Sequence, residues 1–426
     1  TSCVTVGGLF GNNCGRATDA TFTNRGTVSG NTNVGGLFGT NSGKFETSSL
    51  INTVNAQVIG TQNVGGLIGT NTGIIIGGRN EAQETDEDGN VTAEEDSYYK
   101  YKVYNNGTIT VTGSGSNIGG LIGDNQGTLE AGYNTGAINA GGSENVGGIA
   151  GSNSGTIDQV FNTVMTENGE NQTITGGTNV GGLVGENTNS GSLSNAYNTT
   201  NVNGNSNVGN AVGVNSGIIT NIYTTNTTGQ LIGSGYDNGK VTKAYSFVAN
   251  DTSTTEVISE TADTDNDGIT DRVDSDSYGG FDFSNDTWKN YDGSGNPLLK
   301  VFLTTVKVDT DDLPNLVYNT KDQDLNIDGL TGVNGAFSAA DDFTAYENNN
   351  SLIQNTGFKH KNAGTYDNWL YSQQIASGSQ DGTFNPNNLG YDIELTHDID
   401  KAQITVDLNE VERTYGDTTI LNNGNY

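Results

Sequence analysis

The chain has 426 residues, 63 of them glycine and 3 proline, and its 49 acidic against 17 basic side chains give a formal charge of −32. That charge repels phosphate backbones and anionic lipid, which argues against nucleic acid and membrane surfaces as partners. No apolar run reaches bilayer-spanning length, and the Gly-rich, Pro-poor first two thirds exclude collagen and favour tightly turned β structure.

Near the start, Cys3 and Cys14 flank the first repeat. A disulfide between them would close a short loop and contribute roughly 3 kcal/mol on a chain-entropy argument. Two free thiols are the alternative; the disulfide is the expectation.

The stretch NVGGLFGTNSG (33–43) recurs closely at 63–73, 117–127 and 145–155, and more loosely at 6–15, 179–191 and 207–217. The aliphatic residues before the Gly pair, Val6, Val34, Val64, Ile118, Val146, Val180 and Val208, are 28, 30, 54, 28, 34 and 28 residues apart. The unit is therefore about 28 residues. The 54-residue step holds EAQETDEDGNVTAEED (81–96), eight acids in sixteen residues, which cannot enter a core. Residues 78–104 are thus expected to be a surface excursion, with SYYKYKVY (97–104) as its adhesive patch or its returning strand. Six residues past the N-x-G glycine stands an aromatic: Tyr133, Phe161, Tyr197, Tyr223 and Tyr245, the last following an eroded eighth unit at 229–239.

Short strands at fixed period between Gly and Asn turns predict an all-β chain: a parallel β-solenoid of about eight coils, with like residues stacked about 4.8 Å apart. Asn41, Asn71, Asn125, Asn153, Asn187 and Asn215 would form an amide ladder and the aromatics a stack. In VGGLFG, strict alternation sets Val and Leu on opposite faces, which requires a bulge at the Gly pair or a wall covered on both sides.

The copies of GGLFG, GGLIG and GGLVG, each followed by N-x-G, with a YNTG step at 133–136, resemble the GLUG motif of bacterial surface proteins over residues 1–250. The motif implies a secreted repeat protein and no particular ligand.

DTDNDGITDRVD (263–274) places Asp263, Asp265, Asp267, Asp271 and Asp274 at positions 1, 3, 5, 9 and 12, with Gly268 at 6 and the Ile269 carbonyl at 7. Hard oxygens at this spacing wrap a Ca2+ ion. The stretch resembles thrombospondin type 3 and EF-hand-like loops. A solvated acidic linker is the plainer reading, and calcium is the expectation. FDFSNDTWKNYDGSGNPLLKVFL (281–303) resembles the segment that closes GLUG arrays in filamentous-haemagglutinin-like adhesins. The junction and cap together span 251–303, and an aromatic flap is expected to cover the open solenoid end.

Beyond 304 the period vanishes. NLVYN (315–319), DLNIDGL (324–330), GTYDNWLYS (364–372), GYDIELTH (390–397) and AQITVDL (402–408) read as strands of an antiparallel β-sandwich over 304–405. KNAGTYDNWL (361–370) and KAQITVDLNEVERTYGD (401–417) resemble MBG/YDG-type domains, with a second domain starting at 406–426. His360 and His397 accompany no nucleophile motif, so no enzyme is expected.

The resemblance implies a fragment of a large secreted adhesin on the outer membrane of a Gram-negative bacterium. Its partners would be a host or bacterial surface receptor and an outer-membrane secretion partner, with no nucleic acid and no membrane insertion. A structural filament subunit and a polysaccharide-degrading β-helix remain open as alternatives.

Overall fold

The computed structural model describes residues 5–78, 101–163, 173–258, 275–283, 287–290, 296–307, 315–321, 353–355, 363–367, 370–372, 391–394 and 396–403. The described residues between 5 and 257 form a parallel β-solenoid with three sheets of eleven, eight and ten strands, here sheets I, II and III. Every coil contributes one strand to sheet II, from Phe10–Asn13 to Ile232–Ser234, so the solenoid has eight coils. Equivalent repeat residues pair: Val6, Val34, Val64, Ile118, Val146, Val180 and Val208 stack in register.

The corners follow from local chemistry. At N-x-G between sheets II and III, Asn41 Oδ1 accepts the Gly43 N–H at 3.1 Å while Asn41 Nδ2 donates to Asn71 Oδ1 at 2.8 Å. One side chain thus makes its own turn and bonds to the next coil. The ladder runs from Asn13 to Asn215 at 2.7–2.9 Å. Two further ladders are not anticipated from the sequence. Asn24, Asn52, Asn105, Asn134, Asn162, Asn198 and Asn226 line the corner between sheets III and I. The Asn opening each NVGG, from Asn33 to Asn207, forms the third, and its amides donate in the reverse direction. These residues all hold φ between 47° and 57°, a left-handed conformation that Asn tolerates better than most.

The conflict between Val and Leu in VGGLFG is resolved by two cores. Leu37 and its equivalents lie in the main core between sheets II and III, with Phe38, Leu50 and Ile75. Val34 and its equivalents face a smaller core with Val28, Val58 and Ile109. Sheet I bends in the second to seventh coils to form that lobe: Thr27–Ser29 and Thr32–Gly35 both pair with the single strand Gln57–Gly65. Its returning limb passes directly behind sheet II. A Cβ on Gly69 would stand 2.5 Å from the Asn33 carbonyl carbon and 2.6 Å from Val34 N, so a glycine is obligatory there.

The excursion interrupts one strand of sheet III. Ile74–Ile76 and Val103–Asn105 both pair with the same neighbours, Lys44–Asn52 and Thr128–Asn134. Together they make the third coil's strand, and the tail of SYYKYKVY is the returning half. Residues 79–100 lie outside the described residues.

The C-terminal end of the solenoid is not covered by the flap predicted at 281–303. Residues 247–258 cover it. Asp251 Oδ2 accepts the Leu231 N–H at 2.7 Å, Ser253 Oγ that of Ile232 at 2.9 Å, and Thr255 Oγ1 that of Ala244 at 2.7 Å. Side-chain oxygens, with the short strand Glu256–Val257 beside Tyr245 and Ser246, thus take the place of a ninth coil, the edge protection an open sheet requires.

Past the solenoid the chain forms short strands of a separate β region. Leu316–Val317, Gly364–Asp367, Leu370–Ser372 and Tyr391–Glu394 fall within predicted strands, whereas Thr396–Asp400 runs on from the strand predicted at 390–397 into the gap before the one predicted at 402–408. Pairing there is both antiparallel and parallel: Gly364–Asp367 lies antiparallel to Thr396–Asp400, and Thr304–Lys307 lies parallel to Tyr391–Glu394. The predicted strand 324–330 and residues 404–426 lie outside the described residues.

Candidate functional site

The aromatic register forms a ladder on the outer face of sheet III, opposite the main core. Tyr104, Tyr133, Phe161, Tyr197 and Tyr223 stack with ring centroids 4.8–5.1 Å apart and planes within 11°. Tyr245 pairs in register as the last rung. Tyr104 is hidden in the sequence by the excursion, although Tyr104-Asn-Asn-Gly107 repeats Tyr133-Asn-Thr-Gly136.

Here the described residues of 275–303 lie, as a strap along the flank. Tyr278 packs edge-on to Tyr223 and Tyr245, Phe281 stacks on Trp288 at 4.3 Å, and Trp288 meets Tyr197 and Tyr223. Phe302 sits edge-on to Tyr133 and Phe161. The Trp288 indole N–H donates to Asn195 Oδ1 at 3.1 Å, and the Tyr223 hydroxyl to the Pro297 carbonyl at 2.7 Å. The chain therefore runs back from the eighth coil to the fourth. The physical reason is apolar surface: five stacked rings, with Tyr245 in register, make a continuous aromatic strip that needs a cover, and the end already has its polar one.

Where the strap finishes, the excursion begins. Gly78 and Tyr101 exchange backbone hydrogen bonds at 3.0 Å, an antiparallel stem at the base of the excursion. Gly78 has φ 126°, and a Cβ there would stand 3.1 Å from Val301 Cγ2. Tyr101 OH also donates to Asp19 Oδ1 at 2.9 Å. Both departures from the repeat, the excursion and the chain leading to the C-terminal β region, leave the flank of the solenoid side by side.

Carboxylates stand beside this flank. Burial, and then the Asp158 carboxylate on the next coil, push the Glu130 carboxyl above its usual value. Asp158 itself accepts Ser194 Oγ at 2.6 Å and Asn195 Nδ2 at 2.8 Å. Burial also raises Asp124 against the opposing Gln126 hydrogen bond, and raises the phenols of Tyr104 and Tyr245. By contrast, the limb of sheet I that holds Thr27–Ser29 presents neutral side chains such as Thr27, Thr108, Thr110, Asn139, Thr175 and Asn203.

The predicted calcium ligands Asp263, Asp265, Asp267, Ile269, Asp271 and Asp274 lie outside the described residues, as does Cys3; Cys14 is exposed. Both ends of the 259–274 stretch are fixed. Ile258 N–H donates to Ser246 O at 2.9 Å, and Tyr278 is fully buried on the ladder. His397 lies in the strand Thr396–Asp400, and His360 lies outside the described residues. Among the described residues no group of three or more His, Cys, Asp or Glu side chains could hold a metal ion, and no helix is long and apolar enough to cross a membrane.

No protein-family profile, curated protein or solved structure matches the chain.

Proposed function

We propose that this chain is a non-enzymatic adhesive scaffold, part of a secreted, GLUG-type surface protein of the filamentous-haemagglutinin-like kind, held at the outer surface of a Gram-negative cell. The observation that carries the reading is the shared exit. An eight-coil rod stiffened by three amide ladders presents its two non-repetitive elements from one place on its flank, beside Gly78 and Val301. A rod that merely filled space would have no need to return its chain from the eighth coil to the fourth before starting the next domain. The partner is a surface receptor, glycan or protein, and an outer-membrane protein would carry the secretion.

The test uses the stem. Because Gly78 and Tyr101 already pair antiparallel, replacing 79–100 by a two-residue Gly-containing turn should leave the solenoid folded. Attachment of the purified protein to cells or to a glycan array should then fall at least tenfold. Binding that survives the replacement, with binding also intact after loss of the 304–426 region, would sink the reading.

Calcium belongs to the same proposal. The carboxylates of Asp263, Asp265, Asp267, Asp271 and Asp274, with the Ile269 carbonyl, supply the hard oxygens such an ion takes. An ion there would tie the end cover at Ile258 to the strap at Tyr278. Chelator should lower the melting temperature, and elemental analysis should return about one calcium per chain. An unchanged melt with no metal bound would remove this part alone.

A further inference from the structure

We infer that the strap is a tension-release element: a pull on the chain beyond residue 303 strips 275–303 from the aromatic ladder before any coil of the solenoid opens.

Three observations lead there. The first is the separation of cores. The strap cluster, with Trp288, Phe281, Phe302 and the ladder rings, shares no side chain with the main core of Leu121, Leu129 and their equivalents. Sheet III stands between the two, so one cluster can be lost while the other stays packed. In a solenoid each coil otherwise rests only on its neighbours.

The second is how each part is bonded. Coils are joined by continuous parallel backbone ladders and by three chains of buried or half-buried amides. The strap's strand pairing is with itself: Trp288 pairs antiparallel with Leu299, and Lys300 N–H donates to Thr287 O. Ring contacts and side-chain hydrogen bonds, among them Trp288 to Asn195 and Tyr223 to the Pro297 carbonyl, hold it to the flank. Ring contacts break one at a time when peeled.

The third is the load path. The chain leaves the strap at Leu303, beside the third and fourth coils. A force applied beyond that point can reach the eighth coil only after passing through the whole strap. Phe302 comes off Tyr133 and Phe161 first, then Trp288, then Phe281 and Tyr278. Ile258, bonded to Ser246, is where the peeling meets the solenoid. Between Ile258 and Leu303 stand 44 residues, so full release adds up to about 150 Å of chain at 3.3–3.6 Å per residue. Release uncovers the aromatic ladder on the flank without opening the rod. This holds whether or not the protein is adhesive.

Optical-tweezer pulling on the full chain tests it, with one handle at the N-terminus and the other on an azide-bearing residue at position 304. The expected trace shows a first, reversible low-force step no longer than about 150 Å, then larger steps at higher force. Moving the second handle to position 258 should abolish the first step and keep the rest. Trp288→Ala should lower the force of the first step alone. A first step longer than the strap, or one that persists with the handle at 258, overturns the inference. The handle comparison needs no destabilised variant, so a misfolded Trp288→Ala would not blunt it.

Discussion

Along the aromatic ladder sheet III is covered on both sides, and the two sides are closed in different ways. On the inner side each repeat brings its own cover: Leu129 and Val160 meet sheet II residues such as Ile122 and Ala150 from the same coils. On the outer side the repeats bring only half of the contact, the ladder from Tyr104 to Tyr245. The other half comes from a single stretch outside the repeat. A repeat can build a core that grows with every added unit only when each unit carries both walls. An outer ladder needs a foreign partner of fixed length, and so it fixes how many coils can be covered.

The comparison breaks most severely at the glycines that let walls approach. A Cβ on Gly120 would fall inside the Gly148 carbonyl oxygen and 2.5 Å from Asn134 Cγ. Gly120→Ala must therefore displace both a turn and a buried amide ladder. It should cost more than about 4 kcal/mol, read as loss of the cooperative far-UV melt. A melt within a few degrees of the parent would show that the coils are looser than their contacts imply.

The two sides of sheet III can be told apart by a matched pair of substitutions. Leu121→Ala in the inner core and Trp288→Ala in the outer one each remove a fully buried side chain. Losses of about 2–5 kcal/mol are expected in the first case and about 3–5 in the second. The observable separates them. Leu121→Ala should lower the far-UV transition of the whole solenoid. Trp288→Ala should weaken the near-UV aromatic signal and bring a separate early transition, with the far-UV transition nearly in place. Identical effects from both would mean the strap and rod unfold as one unit.

The solenoid is plain in the sequence because stacked coils of equal length demand a fixed period in small, apolar and amide residues, and the 28-residue unit supplies all three. The N-x-G ladder and the aromatic ladder are legible for the same reason. The other two Asn ladders are not, although Asn stands before Val in nearly every NVGG copy. For the NVGG ladder the signal lies in the left-handed conformation that Asn tolerates there. The strap is recognisable as a cover, yet its composition assigns it to the wrong surface. Its sequence says apolar and aromatic, and only the three-dimensional register shows that Asp251, Ser253 and Thr255 already close the end. Side-chain oxygens replacing a strand leave no periodic trace, so 247–258 reads as an ordinary polar loop.

The smallest effect concerns charge beside the ladder. Glu130 and Asp158 stand on adjacent coils, and burial followed by Asp158 holds the Glu130 carboxyl above its usual value. The folded state therefore binds that proton more tightly than the unfolded chain. The stabilisation this gives is present below the usual carboxylate range and is lost as pH rises through the raised folded value. At neutral pH the ionised Glu130 weakens the fold. Glu130→Gln keeps the shape and removes the charge, so it should raise the melting temperature at pH 7 by the equivalent of about 0.5 kcal/mol. The gain should shrink as the pH falls and the parent carboxyl takes up its proton. Asp158 is the internal check. It already accepts hydrogen bonds from Ser194 and Asn195, so Asp158→Asn disturbs those bonds while also relieving Glu130. Its gain at pH 7 should be smaller than that of Glu130→Gln. If it is larger, repulsion between coils outweighs burial, and the outer face of sheet III is governed by charge more than by its packing.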